Sequence, residues 1–273
     1  MPLPDFLIIG AMKAGTTTLQ AQLAAQPGVF MSTPKEPNFF SDDDVFARGR
    51  GWYEGLFADA APGDLKGEAS THYTKLPTYP ETVARMRAML PSPKLIYVLR
   101  DPLERAISHY RHEWTTGVMG NDVRAAFAAH PELVDYSCYA MQIAPFVEAF
   151  GRDRILLLHA DDMKRDPDGV MALIGAHLGR PDLRWDHALG EKNVSTERFR
   201  KLPMHGVLVD NPVARALRHT LVPKRLRERV RRMRAPKASA DLPETLTDEL
   251  RRRFAADEVE LARLFPDVVR AAG

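Results

Sequence analysis

The chain has one cysteine, Cys138, among its 273 residues, so it cannot form an internal disulfide. We expect Cys138 to be a small buried thiol, as isolated cysteines commonly are. The chain also lacks a long hydrophobic run near its N-terminus. The apolar stretch at residues 6–9 is too short for a signal-peptide core or a membrane span. We therefore expect a cytoplasmic protein without a transmembrane segment.

Neither sign of charge predominates, since 38 Lys and Arg against 36 Asp and Glu give a formal net charge of +2. There is thus no global electrostatic case for a nucleic-acid partner, and any cationic site must be local. Residues 215–237 are locally basic, with leucines at near-helical spacing. This pattern is typical of an amphipathic helix with a solvated charged face. The alternative is a surface for an acidic substrate or for peripheral contact with an anionic membrane.

The chain alternates apolar runs with helical patterns. Runs typical of strands buried on both faces of a parallel sheet occupy residues 6–9, 94–99 and 155–158, and a weaker strand signal covers 67–70. Helices are predicted over residues 16–25, 82–90, 102–114, 167–178 and 246–264. The alternation predicts an α/β fold, a three-layer sandwich with a central parallel sheet, in a single domain over residues 1–273. We expect residues 190–245 to be less regular and to cover the active site.

A glycine-rich loop follows the first predicted strand. Its sequence, Gly10-Ala11-Met12-Lys13-Ala14-Gly15-Thr16-Thr17, has the two glycines of a phosphate-binding loop. Nucleoside-triphosphate loops place lysine directly after the second glycine, whereas here Thr16 follows it and the lysine lies inside the loop as Lys13. Backbone N–H groups and a helix N-terminus would still point at an anion. The anion-binding residues predicted on this basis are Lys13, Ala14, Gly15, Thr16, Thr17 and Thr18.

Four sequence blocks resemble one family, the sulfotransferases that use 3′-phosphoadenosine 5′-phosphosulfate (PAPS). Residues 4–17 resemble the family's 5′-phosphosulfate loop, and residues 95–110 resemble its 3′-phosphate motif. Residues 34–40 and 67–73 are similar to two further blocks of the branch that contains the heparan sulfate N- and 3-O-sulfotransferase domains and many bacterial relatives. The blocks occur in family order and cover about the first 110 residues.

The resemblance implies a PAPS-dependent sulfotransferase that moves a sulfuryl group in line to an acceptor hydroxyl or amine, with no metal required. Lys13 would stabilise the leaving phosphate, and Glu36 would be the general base. Arg100 and Ser108 would bind the 3′-phosphate. Arg100 also follows a buried strand at its carboxyl end, where ligands bind in open α/β sheets, and its planar guanidinium suits a phosphate. The alternative for Arg100 is an ion pair with Asp101 or another acid.

Further residues are assigned by the same resemblance. Arg198 lies where the family closes a loop over PAPS, and Lys35 and His72 are candidate acceptor-binding residues. An alternative for Glu36 is a surface ion pair with Lys35. Asn38 departs from the 3-O-sulfotransferases, which typically have histidine there, and His72 or His109 is an alternative source of an imidazole.

Two other functions remain open at this stage. One is a small-molecule kinase with a phosphate loop, which the position of Lys13 disfavours. The other is a non-catalytic protein that binds nucleotides or polyanions through residues 215–237. For the sulfotransferase, the expected acceptor is a small molecule, a carbohydrate or a lipid. The sequence does not determine its identity or the oligomeric state.

Overall fold

The computed structural model describes residues 3–189 and 242–266. A single sheet of five parallel strands lies at the centre, in the order β2-β3-β1-β4-β5. The strands are β1 (Phe6–Gly10), β2 (Val29–Met31), β3 (Leu65–Ala69), β4 (Lys94–Leu99) and β5 (Ile155–His159). Helices flank this sheet, so the predicted α/β fold with a central parallel sheet is confirmed.

The described residues form eleven α-helices and two 3₁₀ turns, at Thr71–Thr74 and Arg152–Arg154. The helices are α1 (Thr16–Ala24), α2 (Asp43–Phe46), α3 (Gly49–Gly55), α4 (Thr82–Met89), α5 (Pro102–Thr116), α6 (Val123–Ala129), α7 (Glu132–Asp135), α8 (Tyr139–Phe150), α9 (Asp162–Arg165), α10 (Pro167–Leu178) and α11 (Glu244–Leu264). The five helices predicted over residues 16–25, 82–90, 102–114, 167–178 and 246–264 are present, whereas the amphipathic pattern at residues 215–237 lies outside the described residues.

Helix α5 begins as its sequence predicts. The Asp101 carboxylate accepts a hydrogen bond from the backbone N–H of Glu104 at 2.7 Å, and Pro102 occupies the first turn. This satisfies one of the helix's N-terminal donors, while proline lacks the N–H that would go unpaired there. The cap thereby fixes where strand β4 ends and α5 begins, which is where Arg100 lies.

Strand β1 is fully buried between β3 and β4. From β1 the chain moves to β2 and β3 on one side of the sheet, and from β4 it continues to β5 on the other. The connections after β1 and β4 therefore diverge, which opens a crevice at the carboxyl ends of these two strands. The glycine loop follows β1 and Arg100 follows β4, so both lie at this crevice.

A second apolar cluster packs the C-terminal helix α11 against α5, α6 and α7. Phe254 of α11 lies in this cluster with Tyr110 and the buried Cys138, as expected for that thiol. Asp257 accepts hydrogen bonds from the N–H groups of Ala140 and Met141 at the start of α8. Among residues 3–189 and 242–266, no helix is both long enough and apolar enough to span a membrane.

Candidate active site at the carboxyl edge of the sheet

The glycine loop packs closely against the turn that follows β3. A Cβ atom at Gly10 would lie 2.0 Å from Thr74 Oγ1 and 2.9 Å from Tyr97 Cε2. The Thr74 hydroxyl also donates to the carbonyl of Ile9 at 2.9 Å. Only glycine allows this approach, since any side chain at position 10 would overlap the Thr74 hydroxyl.

The start of α1 presents backbone donors to the crevice. Gly15 has a φ of 90° and no side chain caps the helix. Within residues 3–189 and 242–266, the N–H groups of Gly15, Thr16 and Thr17 have no hydrogen-bond acceptor. Unsatisfied donors at a helix N-terminus form a ready site for an anion. The loop from Lys13 to Thr18, which the sequence predicts to bind an anion, therefore has backbone donors available for one.

Arg100 joins the loop after β4 to the loop after β1. Its Nη1 donates to the carbonyl of Lys13 at 3.3 Å, and its Nη2 pairs with Glu104 at 2.8 Å. The alternative of an ion pair is therefore realised with Glu104 rather than with Asp101. That carboxylate is 61% exposed, and such pairs contribute little, so an anionic ligand can compete for the guanidinium. Ser108 lies in the second turn of α5 and is buried.

Glu36 lies in the loop after β2 and is held by the residues after β3. Its N–H donates to the carbonyl of Ala69 at 2.9 Å, and its Oε2 accepts from Thr71 Oγ1 at 3.2 Å. Its Oε1 pairs with Lys35 Nζ at 2.6 Å. Partial burial acts to raise the pKa of Glu36, but the hydrogen bonds from Lys35 and Thr71 and the charges of Lys35 and Lys75 outweigh it and lower the pKa.

Residues with a left-handed backbone conformation lie at this edge of the sheet. In the described part of the chain, the residues other than glycine with positive φ are Lys13 (73°), Glu36 (57°) and Asn38 (55°). Such residues cost on the order of 1–3 kcal/mol each and cluster at functional sites. Two of the three, Lys13 and Glu36, are residues to which the sequence analysis assigns a role in the reaction.

A buried carboxylate under the Glu36 loop holds that loop in place. Glu68 is fully buried and accepts hydrogen bonds from the hydroxyls of Tyr53, Tyr73 and Ser70, the last at 2.6 Å. Ser70 Oγ in turn accepts from the N–H of Asn38 at 3.1 Å. Burial raises the pKa of Glu68 and its three hydroxyl donors oppose that shift. The network connects the end of β3 to the strained loop.

The two histidines considered as alternative bases are held as neutral rings. His72 stacks on Tyr79, and burial with the nearby Lys75 charge lowers its pKa to about 4. His109 stacks on Tyr136, and burial with the charge of Arg105 lowers its pKa to about 2. Such low pKa values make both rings weaker bases than an ordinary histidine. The lowered pKa of Glu36 likewise makes that carboxylate a weaker base than an ordinary glutamate, so the pKa values alone do not choose the base.

The structure brings most of the sequence-predicted site residues to this one edge, whereas Arg198 and the basic segment 215–237 lie outside the described residues. Sequence reasoning did not assign roles to Glu68, Thr71 or Lys75. The block at residues 67–73, which resembles the family, contains Glu68 and Thr71 but ends before Lys75. Over residues 3–189 and 242–266, no group of three or more His, Cys, Asp or Glu side chains could hold a metal ion.

Comparison with known proteins identifies relatives. The mouse (Mus musculus) heparan sulfate glucosamine 3-O-sulfotransferase 3B1 is 30% identical over 189 residues, which cover 65% of this chain and 46% of that protein. The mouse bifunctional heparan sulfate N-deacetylase/N-sulfotransferase 4 is 27% identical over 208 residues, covering 68% of this chain and 24% of that protein. The chain thus spans less than half the length of these curated relatives.

A solved structure and a family model agree with these relatives. The crystal structure of a sulfotransferase from Alicyclobacillus acidocaldarius is 27% identical and has a TM-score of 0.61, covering 70% of this chain and 87% of its own. Residues 3–211 match the family model described as the sulfotransferase domain. The resemblance noted from the four sequence blocks is therefore confirmed, and the chain belongs to the sulfotransferase domain family.

Proposed function

We propose that the chain transfers the sulfuryl group of PAPS to an acceptor hydroxyl or amine, with Glu36 as the general base. One observation carries this assignment: a single 3₁₀ turn, Thr71–Thr74, contacts both halves of the site. Its first hydroxyl binds the Glu36 carboxylate at 3.2 Å, and its last binds the Ile9 carbonyl at 2.9 Å, just before the phosphate loop. The turn fixes the candidate base relative to the anion-binding loop.

The two anion sites fit a donor with phosphates at both ends. The N–H groups at the start of α1 would bind the 5′-phosphate, and Arg100 with Ser108 would bind the 3′-phosphate. Lys13 would place its charge on the oxygen that leaves sulfur, where negative charge develops. PAPS supplies the activated sulfuryl group, and the chain's residues bind it, orient it and stabilise the leaving phosphate.

Glu36 is suited to accept the acceptor's proton. Its lowered pKa leaves it ionised at neutral pH, so the proton acceptor is present without a prior ionisation step. Thr71 and Lys35 hold the carboxylate in one orientation through both of its oxygens. This holds the base in place for the proton as the acceptor atom attacks sulfur.

The acceptor class follows from the relatives by analogy. Two relatives have names that specify heparan sulfate, a carbohydrate. We propose a carbohydrate acceptor first, with lipid and small-molecule alcohols as the next classes to test. Cofactor-binding motifs are shared more widely than acceptors, so this step depends on experiment.

Calorimetric titration tests the donor assignment. We expect 3′,5′-ADP to bind more tightly than 5′-ADP, because only the former carries the 3′-phosphate that Arg100 and Ser108 would contact. Equal binding of the two nucleotides, or no binding, would refute PAPS as the donor. Magnesium-dependent turnover of ATP would instead support a kinase.

Radiolabelled PAPS offered with each acceptor class tests the reaction. Lys13→Ala and Glu36→Gln should keep their fold by circular dichroism and lose most turnover. Lys66→Gln is the control, because Lys66 pairs with Asp5 at 3.0 Å at the opposite end of the sheet. Undiminished turnover in Glu36→Gln would remove Glu36 from the role of base.

A further inference from the structure

Lys75 directly follows the Thr71–Thr74 turn. The side chain is half-buried, with Nζ lying 5.8 Å from the centroid of the Tyr136 ring. Among the described residues, its ammonium makes no hydrogen bond and no carboxylate lies within 4.0 Å of it. A half-buried ammonium loses hydration that an ion pair would normally restore. An anionic ligand would supply such a partner.

The charged groups around Lys75 place this ammonium inside the site. Burial lowers its pKa to about 8 against the opposing charges of Glu36 and Glu113, and the charge of Arg105 lowers it further. Its own charge lowers the pKa values of His72 and His109. Lys75 is therefore close enough to Glu36 and to Arg105 and Glu113 of helix α5 for their charges to act on its ammonium.

The contacts of the turn that precedes Lys75 indicate which part of a bound ligand would lie next to its ammonium. Thr71 binds the candidate base, and Thr74 binds the strand end that leads into the phosphate loop. The group that must lie between the base and the phosphate loop is the one being transferred. It is anionic, since a sulfuryl group bound to phosphate carries one negative charge.

From this arrangement, and resting on the proposed function, we propose that Lys75 binds the sulfuryl group of the donor on the side facing Glu36, opposite Lys13. The acceptor oxygen or nitrogen forms its bond to sulfur as the bond between sulfur and the phosphate oxygen breaks. The electron pair of that broken bond stays on the phosphate, next to Lys13, and the acceptor proton passes to Glu36. Lys75 remains protonated throughout and orients the sulfuryl oxygens.

The proposal predicts that removing the Lys75 charge weakens the binding of PAPS much more than that of 3′,5′-ADP. This difference can be measured without an acceptor. Lys75→Gln should weaken PAPS binding about 10- to 100-fold, the effect of one lost hydrogen bond between charged groups. Binding of 3′,5′-ADP, which lacks the sulfuryl group, should change less than about twofold. Lys75→Arg should keep most of the preference for PAPS. Calorimetric titration with both nucleotides measures these effects.

The matched control is Lys94→Gln. Lys94 is another half-buried lysine, but it begins β4 at the opposite edge of the sheet. This variant should bind both nucleotides as the wild type does. If circular dichroism shows that Lys75→Gln is unfolded, Lys75→Met replaces it, because methionine keeps an unbranched chain next to Tyr136 without the charge.

The outcomes distinguish a failure of the proposed role of Lys75 from a failure of the proposed function. Equal weakening of PAPS and 3′,5′-ADP by Lys75→Gln, or no change in either, would overturn the role of Lys75 and leave the donor assignment intact. Failure of the wild type to bind either nucleotide would instead overturn the proposed function. In the wild type, the preference for PAPS should decline as pH rises through about 8, because the ammonium loses its proton. In Lys75→Arg that decline should be absent up to pH 10.

Discussion

Removing the Thr71 hydroxyl perturbs the candidate base without touching its carboxylate. Thr71→Val keeps the shape of the side chain and deletes the donor that lies 3.2 Å from Glu36 Oε2. The donor stabilises the ionised form of Glu36, so its loss should raise the pKa of Glu36 toward the ordinary value of 4.5. Activity that depends on ionised Glu36 should then begin to fail at a higher pH.

The size of this shift follows from the geometry of the contact. A hydrogen bond to a charged group contributes about 1.5–3 kcal/mol, but this one is long and the Glu36 side chain is 32% exposed. We therefore take about 1 kcal/mol, below the bottom of that range. Because the hydrogen bond stabilises only the ionised form, its loss should raise the pKa of Glu36.

Two measurements test the shift. The acid limb of the pH profile of kcat/KM should move to higher pH, with the acceptor that the radiolabel screen identifies. Carboxyl NMR titration of Glu36 should show the same displacement without any acceptor. Thr245→Val, an exposed position on α11, should leave both unchanged. A carboxyl titration that moves while the acid limb stays in place would show that Glu36 is not the base.

The stability of the protein should change with pH in the matching direction. A carboxylate with a lowered folded-state pKa stabilises the fold above its unfolded pKa, and this contribution is lost as pH falls through the folded value. Thr71→Val should therefore reduce the part of the unfolding free energy that Glu36 contributes at neutral pH. Denaturant titrations at pH 7 and at pH 3 should show a larger difference between wild type and variant at pH 7.

Three further predictions concern residues that bind the donor or hold the loops of the site in place. Arg100→Ala should weaken 3′,5′-ADP about 10- to 100-fold and 5′-ADP much less, by calorimetry, because one charged contact to the 3′-phosphate is lost. Gly10→Ala should lower Tm by about 4–8 °C, because its Cβ would overlap Thr74 Oγ1 and overpacking costs about 2 kcal/mol. Ser70→Ala should lower kcat and leave 3′,5′-ADP affinity unchanged, because the N–H of Asn38 loses its acceptor.

The sheet could be predicted from sequence because its signals are local. Strands β1, β4 and β5 are continuous apolar runs, and α5 and α10 carry an aspartate cap followed by proline. Strand β2, of three residues, was not predicted because so short a run has no distinguishable period. The helices between α5 and β5 were also missed, and α8 has a proline in its interior, which argues against a helix when only local sequence is read.

The site could be predicted only in part, because its geometry depends on distant contacts. The loop motif identified Lys13 and the anion-binding donors, and the family resemblance identified Glu36. The hydroxyl that orients Glu36 lies 35 residues further along the chain, and no periodicity or motif relates the two. The environment of the Lys75 ammonium is likewise set by residues distant in sequence, namely Tyr136 and residues of α5.

Three residues of the site, Lys13, Glu36 and Asn38, have left-handed backbone although none of them is glycine. Glycine at positions 13, 36 or 38 would relieve backbone strain, yet each position carries a side chain. Lys13 and Glu36 have side chains with chemical roles in the proposed reaction. The side-chain oxygen of Asn38 is buried and has no hydrogen-bond partner among the described residues.

Strain of this kind persists only when its surroundings hold it. Here the end of β3 does so, through Ala69 and Thr71 to Glu36 and through Ser70 to Asn38, with Glu68 fixing Ser70 from below. The buried carboxylate of Glu68 is costly in isolation, but three hydroxyl donors satisfy it. One strand end thus holds the proposed base and the strained loop, next to the Lys75 ammonium, at the edge where the donor is proposed to bind.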